Sequence, residues 1–221
     1  MSEAPHRPRM NAAQRMNGAD DAKRGFYGPK VVALGGGHGL FASLSALRLM
    51  THNVTAVVTV ADDGGSSGRL RKEFGVLPPG DLRMALSALC DDGEWGQTWR
   101  DVLQHRFMSE GPMNGHALGN LLILALWEHF GESVTALDWV GQLLDIKGRV
   151  LPMSSTPLEI EAVVDGDGGR TTVRGQVAVA TSTGHVHHVA VIPKTPPAQA
   201  EALVAVEEAD WVILGPGSWY T

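Results

Sequence analysis

The chain of 221 residues is 43% hydrophobic and 19% charged, with a net charge of −6, a balance that suits one or two globular domains with a sizeable core. The acidic sign leaves no basic footprint for nucleic acid, and a single cysteine, Cys90, excludes an internal disulfide and any cysteine-rich zinc site. The longest apolar run, LLILALW, falls far short of the ~20 residues of a membrane span, and the N-terminus lacks a signal-peptide core. A cytoplasmic protein without membrane insertion is therefore expected.

Residues 1–29 are polar and aperiodic and read as a disordered leader before one folded domain over residues 30–221. Val31 to Leu34 is a short buried strand, and Leu40, Leu44 and Leu47 recur at helical spacing after it. Val54 to Ala61 is apolar almost throughout, as a parallel strand covered on both faces should be. Strand, glycine turn, helix and strand make a βαβ unit. A helical block follows, over Ser66–Phe74, Asp81–Leu89, Gln97–Phe107, Ala117–Phe130 and Ser133–Ile146, with Asp81 as a plausible N-cap after PPG. Cys90 falls in this block and reads as a small buried hydrophobe.

Beyond Gly148 the pattern turns to strands: Val150–Met153, Leu158–Asp165, Thr171–Thr181 and Val186–Ile192, with a hairpin signal at DGDGG, Asp165–Gly169. Pro196–Ala209 reads as a helix and Trp211–Leu214 as a last strand, ending in GPGSWYT. A covering helix would normally follow such a strand, so a C-terminally truncated α/β domain is expected. The fold class is α/β, a Rossmann-like, mostly parallel sheet with an inserted helical region.

Three glycine-rich turns follow strands. In GGGHG, residues 35–39, Gly37, Gly39 and Ala42 fit a loose G-x-G-x-x-[GA]. Glycines let a backbone approach a phosphate, and the helix N-terminus supplies free N–H groups; a tight turn without a ligand is the bland alternative. In DDGGSSG, Asp62 and Asp63 suit a ribose hydroxyl or Mg²⁺ beside phosphates. Gly64, Gly65, Ser66 and Ser67 suit a second phosphate nest, against a solvated turn with Ser66 as N-cap. The same residues match G-x-S-x-G, the hydrolase nucleophile elbow, but the serine stands too far from its strand.

Asp81 and Arg83 in PPGDLRM, and His116 and Asn120 four apart in NGHALGNLL, suit either ligand contacts or a capped, solvated helix start. His185 and His187 share one strand face. With no acidic or cysteine partner evident nearby, an exposed face is favoured over a metal pair. Gly217 and Ser218 belong to the third turn. Three such turns suggest one crevice at the carboxyl edge of a sheet.

In this order, GGGHG, DDGGSSGRLR, PPGDLR, HALGNL and GPGSWYT resemble the gluconeogenesis factor (YvcK) family, related to 2-phospho-L-lactate transferase (CofD). The resemblance covers Lys30 to Thr221. It implies a Rossmann-like fold, binding of UDP-sugars, chiefly UDP-N-acetylglucosamine, no established catalysis, and support of cell shape and cell-wall synthesis during gluconeogenic growth. The transferase branch moves a phospholactyl group to a deazaflavin with Mg²⁺ and typically carries Asp-Thr-Gly-Asp-Asp after the second strand. Asp62-Asp63-Gly64-Gly65-Ser66-Ser67-Gly68 is instead the gluconeogenesis-factor form. His38 stands where the family often has Thr, and Met84 where a polar residue follows PPGDLR.

The expectation is thus a cytoplasmic UDP-sugar-binding regulator, with the transferase as alternative. Gly36, Gly37, His38 and Gly39 would face the pyrophosphate, and Asp62 and Asp63 ribose or a metal ion. Gly65, Ser66 and Ser67 would add phosphate or sugar contacts, and Asp81, Arg83, His116, Asn120, Gly217 and Ser218 would line the crevice. No catalytic residue is assigned, Mg²⁺ is only a candidate cofactor, and a homo-oligomer is left open.

Overall fold

The computed structural model describes residues 28–166 and 169–217. Strand β1 (Val31–Gly35), helix α1 (Gly37–Leu47) and strand β2 (Val54–Val58) form the expected opening unit. The helical insertion follows as α2 (Gly65–Phe74), α3 (Pro79–Leu89), α4 (Glu94–Gln104), α5 (Leu118–Phe130) and α6 (Ser133–Leu143). Then come β3 (Arg149–Pro152), β4 (Glu159–Gly166), β5 (Gly169–Arg174), α7 (Gln176–Thr181), β6 (His185–Ile192), α8 (Ala200–Glu207) and β7 (Trp211–Leu214).

The strands make two sheets. One is parallel, in the order β3-β2-β1-β7, and the other is antiparallel, in the order β5-β4-β6. Val31 pairs with Val54 on one side and Trp211 on the other. Chain order therefore reverses at β1, the position where open α/β sheets leave a ligand crevice beyond the strand ends. The apolar runs of β1 and β2 are explained by cover on both faces. Val31, Ala33, Val54, Ala56 and Val58 pack with Leu40, Leu44, Leu82 and Leu86 of α1 and α3, while Val32 and Val57 pack with Ala202 of α8. Burying each such side chain contributes roughly 1.5–3 kcal/mol. Ile160, Ala162, Val164 and Val179 form a separate core under the antiparallel sheet.

Four expectations are corrected. The segment Thr171–Thr181 is not one strand: β5 ends at Arg174, Gly175 takes φ +97°, and Gln176–Thr181 is helical. The Asp63 carboxylate accepts the Val177 N–H at 3.0 Å and holds that helix from 114 residues away. Asp81 is not an N-cap, because α3 starts two residues earlier with Pro79 in its first turn and Pro78 as the cap, the position where a fixed φ and a missing N–H cost nothing. The last helix is shorter than Pro196–Ala209, since the Pro197 carbonyl accepts from Ser154 Oγ and Ser155 N and so keeps the two prolines outside it. Gly28 and Pro29, assigned to the leader, are bonded into the fold through Asn53 Nδ2 and Thr51 Oγ1; the rest of that segment lies outside the described residues.

Candidate functional site

The three glycine turns lie at the carboxyl ends of β1, β2 and β7, and two of them touch. A Cβ built on Gly39 would stand 1.8 Å from the Pro216 carbonyl oxygen, so only glycine admits this approach of the first turn to the third. Gly37 opens α1 with Gly36 as its cap, and no side chain caps the helix locally. Instead the Asp81 carboxylate lies against this turn. A Cβ on Gly36 would meet Asp81 Oδ2 at 2.4 Å, and Thr59 Oγ1 donates to that oxygen at 3.3 Å. Burial, then repulsion by Asp62, raises the Asp81 pKa, partly offset by Thr59, by the Gly37 N–H facing the carboxylate and by Arg83. His38 is exposed in the first turn of α1.

The second turn borders a cleft of about 240 Å³ lined by Asp62, Gly64–Ser67, Gly80, Asp81, Arg83, Met84, Arg106 and Asn120. Asp62 Oδ1 accepts the Gly64 N–H at 2.9 Å. Asp63 is not among the lining residues; its carboxylate is engaged with α7.

Behind the cleft runs a buried polar network. Ser66 Oγ, on a residue only 3% exposed, accepts from Asn120 Nδ2 at 3.0 Å and from the Ala117 N–H at 3.3 Å, and it lies 3.0 Å from His116 Nδ1. Asn120 Oδ1 accepts from Arg83 Nε at 2.9 Å, and Arg83 Nη1 donates to Gln104 Oε1. Burial and the neighbouring Arg106 lower the Arg83 pKa to about 10, against Asp81 and Asp62. The nucleophile-elbow alternative does not fit this geometry, because two accepted N–H bonds occupy the Ser66 oxygen and burial hides it.

Asp62, Gly65, Ser66, Ser67, Asp81, Arg83 and Asn120 are thus brought together, with His116 immediately behind. Gly36, Gly37 and Gly39 border the same region through Asp81 and Pro216. Gly217 is exposed at the third turn, and Ser218 lies outside the described residues. Sequence reasoning missed Gln104, Arg106 and Thr59, which stand in no glycine turn and carry no motif. It also missed the partner of His187, whose Nε2 meets the Asp165 carboxylate, because antiparallel pairing of β4 with β6 brings that acid across. Among the described residues no group of three or more His, Cys, Asp or Glu could hold a metal ion. Cys90 is fully buried, and burial pushes its thiol up to about 11, as befits a packing residue. No described helix is long and apolar enough to cross a membrane.

A Rossmann-like parallel sheet with glycine turns gathered at its carboxyl edge defines the class of protein. The model of the 2-phospho-L-lactate transferase CofD family matches residues 31–221, and the chain belongs to that family. It is similar to proteins carrying the gluconeogenesis factor name. One from Mycobacterium tuberculosis is 55% identical over 195 residues, covering 86% of this chain and 57% of the relative. Another, from Listeria monocytogenes, is 38% identical over 193 residues, covering 87% and 58%. A crystal structure of a Bacillus halodurans protein of the UPF0052 family matches with a TM-score of 0.78 at 36% identity, covering 88% of this chain and 61% of that one. The chain therefore spans little more than half the length of these relatives.

Proposed function

We propose that this chain is the nucleotide-sugar-binding part of a cytoplasmic regulator of gluconeogenesis-factor type, with UDP-N-acetylglucosamine as ligand. Its role would be to tie cell shape and cell-wall synthesis to growth on gluconeogenic carbon sources. The observation that carries this reading is the convergence of three turns. The first meets the third where Gly39 abuts Pro216, and it meets the second through Asp81, which reaches both the Gly36 turn and the Arg83 cleft. A crevice with N–H donors, two guanidinium groups and carboxylates suits a ligand that is anionic at one end and rich in hydroxyls at the other.

One observation favours a second reading, the phospholactyl transferase. Asp62 and Asp81 line one cleft, and Mg²⁺ is commonly held by one or two carboxylates together with substrate phosphates. Against it, Gly65 and Ser66 occupy positions where the transferase branch carries further carboxylates.

Thermal unfolding of the full chain with UDP-N-acetylglucosamine tests the first reading. A ligand at about 100 times its Kd adds about 2.7 kcal/mol, a rise of roughly 5–10 °C for a domain of this size. No shift with any UDP-sugar would overturn it, and phospholactyl transfer to a deazaflavin would put the second in its place.

A further inference from the structure

Two helix N-termini open on the crevice, those of α1 and α2, and by sequence either suits a phosphate. The geometry separates them. At α1 a fixed carboxylate already stands where an anion would bind: Asp81 Oδ2 lies 2.4 Å from the Cβ position of Gly36 and is held there by Thr59. A phosphate entering that turn meets a like charge at close range.

At α2 no side chain caps the helix. The first intrahelical bond runs from Gly68 N to Gly64 O, so the N–H groups of Gly65, Ser66 and Ser67 have no helical acceptor. An independent feature points into the same cleft. Arg83 is 3% exposed and is clamped through Nε to Asn120 and through Nη1 to Gln104. Its Nη2 has no hydrogen-bond partner among the described residues. Arg106 lines the same cleft and stands close enough to disfavour the charge on Arg83. Two guanidinium groups so placed gain from an anion between them.

We infer that, within the UDP-sugar reading above, the diphosphate is held at the second turn by the α2 N-terminus, Arg83 and Arg106, and that the first turn takes only uncharged parts of the ligand because Asp81 fills its anion position. Asn120 and Gln104 are positioning residues for this anion: their side-chain oxygens accept from Arg83 Nε and Nη1 and fix the plane of the guanidinium. Asp62 and Asp81 border the same cleft, so the diphosphate sits on its guanidinium side, which sets one direction for the nucleotide across the sheet edge.

The experiment compares UDP with uridine by calorimetry on the full chain, for the wild type and for Arg83→Gln, Arg106→Gln and His38→Ala. The ratio of the two affinities isolates the diphosphate. Arg83→Gln lowers that ratio about tenfold, as loss of a charge-assisted bond should, and Arg106→Gln, on an exposed side chain, about threefold. His38→Ala leaves it unchanged. If Arg83→Gln fails to fold by circular dichroism, Arg106→Gln and His38→Ala decide alone. A ratio that falls with His38→Ala and not with the arginine variants overturns the inference while UDP-sugar binding stands. Conversely, if the wild type ignores UDP and uridine but inorganic diphosphate raises its melting temperature through Arg83 and Arg106, the anion site stands and the UDP-sugar reading fails. No response to any of these probes overturns both.

Discussion

Ser66 Oγ and His116 Nδ1 lie 3.0 Å apart, and the other bonds of Ser66 decide which of them holds the proton. The serine oxygen already accepts from Asn120 Nδ2 and from the Ala117 N–H. Its own hydrogen is therefore donated to His116, whose Nδ1 must be unprotonated, leaving the neutral Nε2–H tautomer. Burial, then Arg69, lowers the His116 pKa below its ordinary 6.5, against Glu73. The unfolded chain thus takes up the proton more readily than the folded one, and this residue's contribution to stability is lost as the pH falls from 6.5 through the lowered value. Side-chain NMR of labelled histidine checks both points. An Nδ1–H tautomer, or titration at or above 6.5, would be the contrary result.

Ser66→Ala leaves Asn120 Nδ2, the Ala117 N–H and His116 Nδ1 without this partner in a buried region. The expected cost is about 2 kcal/mol, or roughly 4–8 °C in Tm. Ser45→Ala makes the comparison, because Ser45 Oγ only bonds back to Phe41 O within α1 and its loss should stay within about 0.5 kcal/mol. Equal melting temperatures for the two variants would mean that Ser66 is not the hub of the network.

The contrast between those serines marks what was legible in the sequence. Local pattern sufficed for β1, α1 and β2, where an apolar run, a glycine turn and leucines at helical spacing agree. It sufficed for the antiparallel pairing of β4 with β5, which runs up to Gly166 opposite Gly169, as the hairpin signal in the sequence leads one to expect. It failed for α7, because the apolar, β-branched VAVAT reads as a strand while the deciding contact, Asp63 with Val177 N, spans 114 residues. The site shows the same division. Ser66, Arg83, His116 and Asn120 stood out as polar residues in helix starts, but nothing in the local sequence joined them to one another, or joined Gln104 and Arg106 to Arg83. Nor could a motif show that Asp81, 45 residues after Gly36, returns to lie against its turn.

Asp81→Asn tests that return. The folded pKa of Asp81 is raised, with burial as the largest cause and Asp62 next. The folded chain then binds this proton more tightly than the unfolded one, so stability falls as pH rises from the ordinary 3.8 through the raised value. An amide removes the charge and keeps an acceptor for Thr59 Oγ1. Urea titrations at a series of pH values should show a flatter profile for the variant across that window, with its greatest advantage over wild type above it. A profile parallel to wild type would show that Asp81 is not held against its charge.

Gly39→Ala separates a steric requirement from a conformational one. Gly39 lies in the first turn of α1, where alanine is intrinsically favoured over glycine by about 1 kcal/mol. The added Cβ would nevertheless fall 1.8 Å from the Pro216 carbonyl oxygen, a backbone atom that cannot swing aside, and forcing such groups apart costs typically 1–3 kcal/mol. Overlap therefore wins over propensity, and the third turn must move away from the first. Gly111→Ala, with nothing within 4 Å of the new Cβ, should leave stability unchanged or raise it by up to ~1 kcal/mol. Hydrogen exchange gives the sharper readout. Protection in Gly39→Ala should drop first at Gly215, whose N–H donates to Leu34 O at 3.2 Å, and along β7, which pairs with β1 at the sheet edge, while β2 and β3 keep theirs. A uniform loss would point to α1 as a whole, and no loss would show that the first and third turns are not in contact.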